Sequence, residues 1–162
     1  MTGTRWSPSE RVAGVILTNS AGGIKDDEIT PMVLADRKAA ERLPVIDRLM
    51  TKRVQEQEPE KVFLFRQMGT LNTARQQDLR NQWNGTTTIE QIRAAIAAGV
   101  AVCFLGGDDD AVLSSATYKR IAEVLPEARL ELVPGGPHSL YWEAPEVFNA
   151  ALDRLLAAIP AW

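Results

Sequence analysis

A chain of 162 residues, 45% hydrophobic and 24% charged, has the size of one domain with a real core and the balance of a soluble globular protein. Its net charge of −3, with bases interleaved among acids as in Asp36-Arg37-Lys38 and Glu41-Arg42, gives no electrostatic ground for binding nucleic acid. No apolar run approaches a membrane span, the polar start MTGTRWSPSER lacks a signal-peptide core, and the single Cys103 excludes an internal disulfide, so the expected compartment is the cytoplasm.

Arg11 to Thr18, RVAGVILT, is a continuous, β-branched apolar run and reads as a strand buried on both faces. It ends at Asn19-Ser20-Ala21-Gly22-Gly23. Residues 25–95 form a mainly helical middle. Pro44 breaks or kinks a helix there, and Pro59 suits a first helical position. Asn72 caps a further helix through about Trp83, and Asn84-Gly85 marks a turn. Thr88 with Gln91, or Thr87 with Glu90, forms a capping box for a helix over Ile89 to Ala98, which Gly99 ends.

Val100 to Leu105, VAVCFL, is the second buried strand, and Cys103 inside it reads as a small core hydrophobe. It runs into Gly106-Gly107-Asp108-Asp109-Asp110. Three adjacent acids there read as a solvated turn or, more weakly, as a divalent-metal loop, which lacks a further acidic ligand at a suitable spacing. Ser114 or Ser115 caps a helix over Ala116 to Leu125. The third strand carries Leu130, Leu132 and Val133, and Gly135-Gly136-Pro137 stops it. Pro145 opens the last helix, whose Phe148, Leu152, Leu155, Leu156 and Ile159 form one apolar stripe. Helices alternating with three buried strands imply an α/β fold with a parallel sheet. No phosphate-binding, dinucleotide-binding or zinc-protease motif occurs, and no cofactor or metal is expected.

His138, the chain's single histidine, follows the third strand's C-terminal end, the edge at which parallel sheets bind ligands. It reads either as a proton-transfer group or as a loop residue satisfied by a backbone hydrogen bond.

Val133 to Asn149, V-P-G-G-P-H-S-x-Y-W-E-x-P-E-x-F-N, closely resembles the histidine loop of the α/β-hydrolase fold superfamily, in particular its cap-bearing esterases, lactonases, haloperoxidase-like enzymes and carbon–carbon bond hydrolases. The resemblance extends to residues 8–24 and 99–159 and is weak between them. It implies the C-terminal portion of that fold: about three parallel strands with flanking helices, a core of residues 1–24 and 96–162, and a helical cap over 25–95. It makes His138 the base of a Ser-Asp-His triad. Its G-x-x-D-x-[LIV] pattern makes Asp110 the acid when Gly107 is the glycine, and Asp109 when Gly106 is; the first leaves Val112 at the apolar position and is preferred.

The family's nucleophile elbow, G-x-S-x-G, is then expected to be missing. Thr18-Asn19-Ser20-Ala21-Gly22 matches it superficially, so Ser20 is a possible nucleophile, although the polar Ile24 to Pro31 stretch does not start a helix at once. Phe63, Phe65, Met68, Leu71 and Trp83 either line an apolar substrate pocket or pack helices together. The implied function is hydrolysis of ester or carbon–carbon bonds in small apolar molecules, with this chain alone inactive. A rival reading is a non-catalytic half-domain that binds a second copy or a separate N-terminal half.

Overall fold

The computed structural model describes residues 12–70 and 87–159. In chain order these form β1 (Gly14–Thr18), β2 (Ile24–Lys25), α1 (Ile29–Ala40), α2 (Val45–Leu49), α3 (Lys52–Gln57), α4 (Pro59–Thr70), β3 (Thr87–Thr88), α5 (Ile89–Ala97), β4 (Ala101–Gly107), α6 (Ser115–Val124), β5 (Arg129–Val133), α7 (Leu140–Glu143) and α8 (Pro145–Leu156). The three long strands make one parallel sheet in the order β1-β4-β5, while β2 and β3 pair as a separate two-residue ribbon. This is the mixed α/β architecture, with three parallel strands and flanking helices, that the apolar runs predict.

β4 lies in the centre and is buried along nearly its whole length. Alternate side chains enter opposite layers, as strand geometry requires. Val102 and Phe104 pack with Ile29 of α1, Ile89 and Ile92 of α5, and Tyr118 and Ile121 of α6. Cys103 and Leu105 face the other layer, with Val133, Leu140, Ala151 and Leu155. Each fully buried aliphatic or aromatic side chain contributes about 1.5–3 kcal/mol relative to exposure.

β1 departs from its expected burial on both faces, since Val15 is 42% exposed. The cause is position. β1 pairs with β4 along one edge, and among the described residues nothing pairs with its other edge.

The local signals at the helix ends are realised. The capping box is Thr88 with Gln91, Gly99 takes φ +92° after α5, Ser114 caps α6, and Pro59 and Pro145 open their helices. The expected helix at Asn72 to Trp83 lies outside the described residues. The helical middle divides by what it packs on. Ile29, Ile89 and Ile92 join the sheet's own core, so α5 and the start of α1 rest on the sheet. Met50, Val54 and Val62 form a separate cluster with Phe65 and Trp142, which fastens α2, α3 and α4 to α7 just beyond His138.

Candidate active site

The parallel register Gly107↔Val133 brings the loops after β4 and β5 side by side at the sheet's C-terminal edge. Glycine makes the approach possible: a Cβ at Gly107 would overlap the carbonyl of Gly136. The backbone N–H of Asp108 donates to the Val133 carbonyl and that of Asp109 to the Gly136 carbonyl, both at 3.1 Å.

This docking sorts the three adjacent acids. Asp108 accepts the Gly135 N–H through Oδ1 at 2.6 Å. Asp109 is exposed and lines an open cavity. Asp110 turns inward: its side chain is 0% exposed, against 21% for that of His138. Oδ1 of Asp110 accepts the N–H groups of Val112 at 2.7 Å and Leu113 at 3.0 Å. Oδ2 lies 2.9 Å from Nδ1 of His138.

A carboxylate offers only acceptors, so the shared hydrogen sits on Nδ1 and the imidazole lone pair on Nε2. Nε2 makes no hydrogen bond among the described residues. The contact fixes the ring's orientation and leaves Nε2 at the sheet's C-terminal edge as a potential proton acceptor.

Tyr118 closes the floor of the site. Its ring lies against β4 so tightly that a Cβ at Gly106 would come within 2.5 Å of it. Burial first, and the charge of Asp110 second, push its phenol above the ordinary value of 10.0. The Ser20 backbone opposes this shift, yet the hydroxyl makes no well-formed hydrogen bond among the described residues.

Ser20 also stands at the sheet's C-terminal edge, just past β1, but its Oγ accepts the Gly22 N–H at 3.1 Å and makes no hydrogen bond to His138 among the described residues. A glycine turn with positive φ at Gly22 and Gly23 follows it, then β2, so no helix begins there. Phe63 and Met68 are 64% and 50% exposed on α4, and Phe65 packs its ring against Trp142 with centroids 5.7 Å apart. Leu71 and Trp83 lie outside the described residues. The cavity next to the two loops, about 350 Å³, has a mixed lining that includes Arg48, Met50, Thr51, Lys52, Asp109 and Pro137. A larger one of about 490 Å³, lined by Asp26, Thr30, Thr88 and Glu90 among others, shares no lining residue with it. Phe63, Phe65 and Met68 line neither.

Two acids that sequence reasoning missed brace the site. Asp36 of α1 accepts the Ser114 N–H and hydroxyl, both at 2.9 Å, and the Thr117 hydroxyl at 2.6 Å, pinning the end of the Asp110 loop. Glu143 of α7 is buried and accepts both the backbone N–H and the hydroxyl of Thr51. Glu143 carried a signal, an acid inside the apolar stretch Leu140 to Pro145; Asp36, among scattered charges, carried none. Among the described residues no three His, Cys, Asp or Glu side chains are grouped to hold a metal ion, and no helix is long and apolar enough to cross a membrane.

No protein-family model and no curated protein matches the sequence. Solved structures do. The chain is similar to Rv0554 from Mycobacterium tuberculosis, with a TM-score of 0.62 and 18% identity over 95% of this chain and 60% of that one. It is similar to a thermophilic esterase from Thermogutta terrifontis, solved with malate bound, with a TM-score of 0.61 and 21% identity over 94% of this chain and 58% of that one. It is also similar to BpoC from Mycobacterium tuberculosis H37Rv, described as a non-heme bromoperoxidase, with a TM-score of 0.62 and 18% identity over 95% and 61%. The chain thus spans about 60% of the length of these structures and has the α/β-hydrolase fold over that part.

Proposed function

We propose that His138 and Asp110 are the base and the orienting acid of a serine-type hydrolase that acts on ester or carbon–carbon bonds in small apolar molecules. The observation that carries this reading is the His138 Nδ1 to Asp110 Oδ2 contact of 2.9 Å, which leaves Nε2 open at the sheet's C-terminal edge. In the reaction, Nε2 takes the proton of a hydroxyl nucleophile as its oxygen bonds to the substrate's carbonyl carbon. The imidazolium then returns that proton to the leaving group, and water, activated by the same nitrogen, releases the acyl group. The helices between β1 and α5 act as the cap that shelters this chemistry from bulk water.

No hydroxyl among the described residues is hydrogen-bonded to Nε2, so in this reading the chain alone is inactive on small activated esters. The test is expression of the chain with whatever the upstream reading frame encodes, ideally a segment bearing G-x-S-x-G. Ester hydrolysis that appears in that preparation and disappears with His138→Ala supports the reading. Hydrolysis that survives His138→Ala ends it. Turnover by the chain alone that is lost with Ser20→Ala but kept with Ser7→Ala would instead make Ser20 the nucleophile.

The outer edge of β1, unpaired among the described residues, favours a second reading, a non-catalytic module that pairs with a second copy or with a separate N-terminal half. Association without any hydrolysis in either preparation selects it.

A further inference from the structure

We propose that Glu143 is a positioning residue whose buried carboxylate ties the helical layer α2–α4 to the loop bearing His138 and so holds the imidazole against Asp110. The inference rests on reading His138 and Asp110 as the working pair.

Glu143 is 5% exposed, and neither carboxylate oxygen forms an ion pair among the described residues. Burying a carboxylate without a counter-charge is costly unless hydrogen bonds replace its water. Thr51 supplies them: its backbone N–H donates to Oε1, and its hydroxyl donates to Oε2 at 2.7 Å. The same hydroxyl oxygen accepts the Val54 N–H at 3.4 Å and caps α3. One threonine thus joins the start of α3 to the end of α7. The Lys61 ammonium lies beside this junction, donating to the Glu143 backbone carbonyl at 3.0 Å and pairing with Glu58 at 2.8 Å.

The tie bears on His138 because the segment that follows its loop is held from the side of the helical layer. α7 is a single turn of four residues, too short to hold its own conformation. Residues 139–143 depend on the helical layer: the Ser139 N–H donates to the Leu49 carbonyl at 3.0 Å, and the Trp142 indole N–H to the Lys61 carbonyl at 3.2 Å. The Asp110 loop is anchored separately through Asp36. Loosening the Glu143 tie therefore disturbs the pair from the His138 side, away from the Asp36 anchor.

His138 is the chain's one histidine, so a proton on its Nδ1 gives a single resonance, expected downfield and slow to exchange because it faces the buried Asp110 carboxylate. Its exchange rate reads the pair's geometry rather than turnover. Absence of hydrolysis therefore leaves this proposal standing, and failure here leaves the proposed reaction standing.

In Glu143→Ala and Thr51→Val this proton is expected to exchange at least about tenfold faster, the effect of losing a hydrogen bond to a charged group on a local opening equilibrium. Thr51→Ser, which keeps both donors, restores the slow rate. Ile92→Ala destabilises the opposite face of the sheet and leaves the rate unchanged. If Glu143→Ala does not fold, Thr51→Val and Glu143→Gln decide, with Glu143→Gln intermediate. A slow rate retained in Thr51→Val, or one raised equally by Ile92→Ala, overturns the proposal.

Discussion

Replacing Gly107 with alanine is expected to unseat both loops of the site at once. Gly107 is the last residue of β4, opposite Val133 of β5. A Cβ there would overlap the Gly136 carbonyl and come within 2.7 Å of the Gly136 Cα. These atoms are backbone and have no rotamer to yield, so the loops must separate. Overpacking a rigid contact costs about 1–3 kcal/mol. The two backbone hydrogen bonds spanning the gap, from Asp108 and Asp109, contribute about 0.5–1.5 kcal/mol each. Together the loss is about 2–6 kcal/mol, a large fraction of the roughly 5–15 kcal/mol that holds a domain folded. Gly135→Ala is the matched comparison. Its φ is +66°, but an added Cβ meets nothing within 4 Å, so its cost is only the left-handed conformation, about 1–2 kcal/mol. Urea unfolding followed by tryptophan fluorescence gives both values, and the His138 Nδ1 proton should be lost in Gly107→Ala alone. An equal cost for the two variants would refute the close-approach argument.

Tyr118 should make the fold sensitive to alkali. Its phenol is held above its ordinary value of 10.0 by burial and by the charge of Asp110, so the native state keeps a proton that the unfolded chain loses. That stabilisation is complete below about pH 10 and declines above it by up to about 1.4 kcal/mol per pH unit until the folded-state value is passed. Tyr118→Phe should remove this slope while changing stability at pH 7 by no more than about 1 kcal/mol, since the hydroxyl has no well-formed partner among the described residues; parallel alkaline slopes in the two proteins would count against it. Asp110→Asn should abolish the sheltered His138 Nδ1 proton and cost about 1–3 kcal/mol, because an amide cannot repeat the carboxylate's acceptor pattern toward Val112, Leu113 and His138; a retained proton signal would show that Asp110 does not hold the ring. The outer edge of β1, with Val15 exposed, should drive association at high micromolar concentration. A monodisperse 17.8 kDa species in light scattering would exclude that.

The strands and helix ends were legible because each rests on a constraint carried by a few adjacent residues. VAVCFL can hardly be anything but buried, Gly99 and Gly135 permit positive φ, and Pro59 and Pro145 suit only the first turn of a helix. The burial of β1 was not legible, because an edge strand's exposure depends on its neighbours and GVILT reads alike in the centre or at the rim. What the helical middle packs on was not legible for a related reason. The apolar stripe of α5 would serve equally against a sheet or against other helices, and only the tertiary contacts of Ile89 and Ile92 place it on the sheet. The ties made by Asp36 and Glu143 span 78 to 92 residues of sequence, and nothing local marks an acid whose partners lie that far away.

The run Asp108-Asp109-Asp110 shows where reading by residue type stops and geometry takes over. The three side chains are chemically identical, so composition cannot rank them, and the family pattern alone leaves two alignments. What separates them is the register between β4 and β5. Once Gly107 lies opposite Val133, the N–H groups of Asp108 and Asp109 point across to the neighbouring loop and bond to the Val133 and Gly136 carbonyls. Asp108 and Asp109 are thereby held at the rim. Asp110 is the first residue past those crossing bonds, and its carboxylate turns inward to the N–H groups of Val112 and Leu113 and to the imidazole. A one-residue slip of β5 would exchange the faces of all its side chains and displace His138 from Asp110 together with them. The pair therefore depends on the glycine contact between the two loops as much as on the identity of either residue.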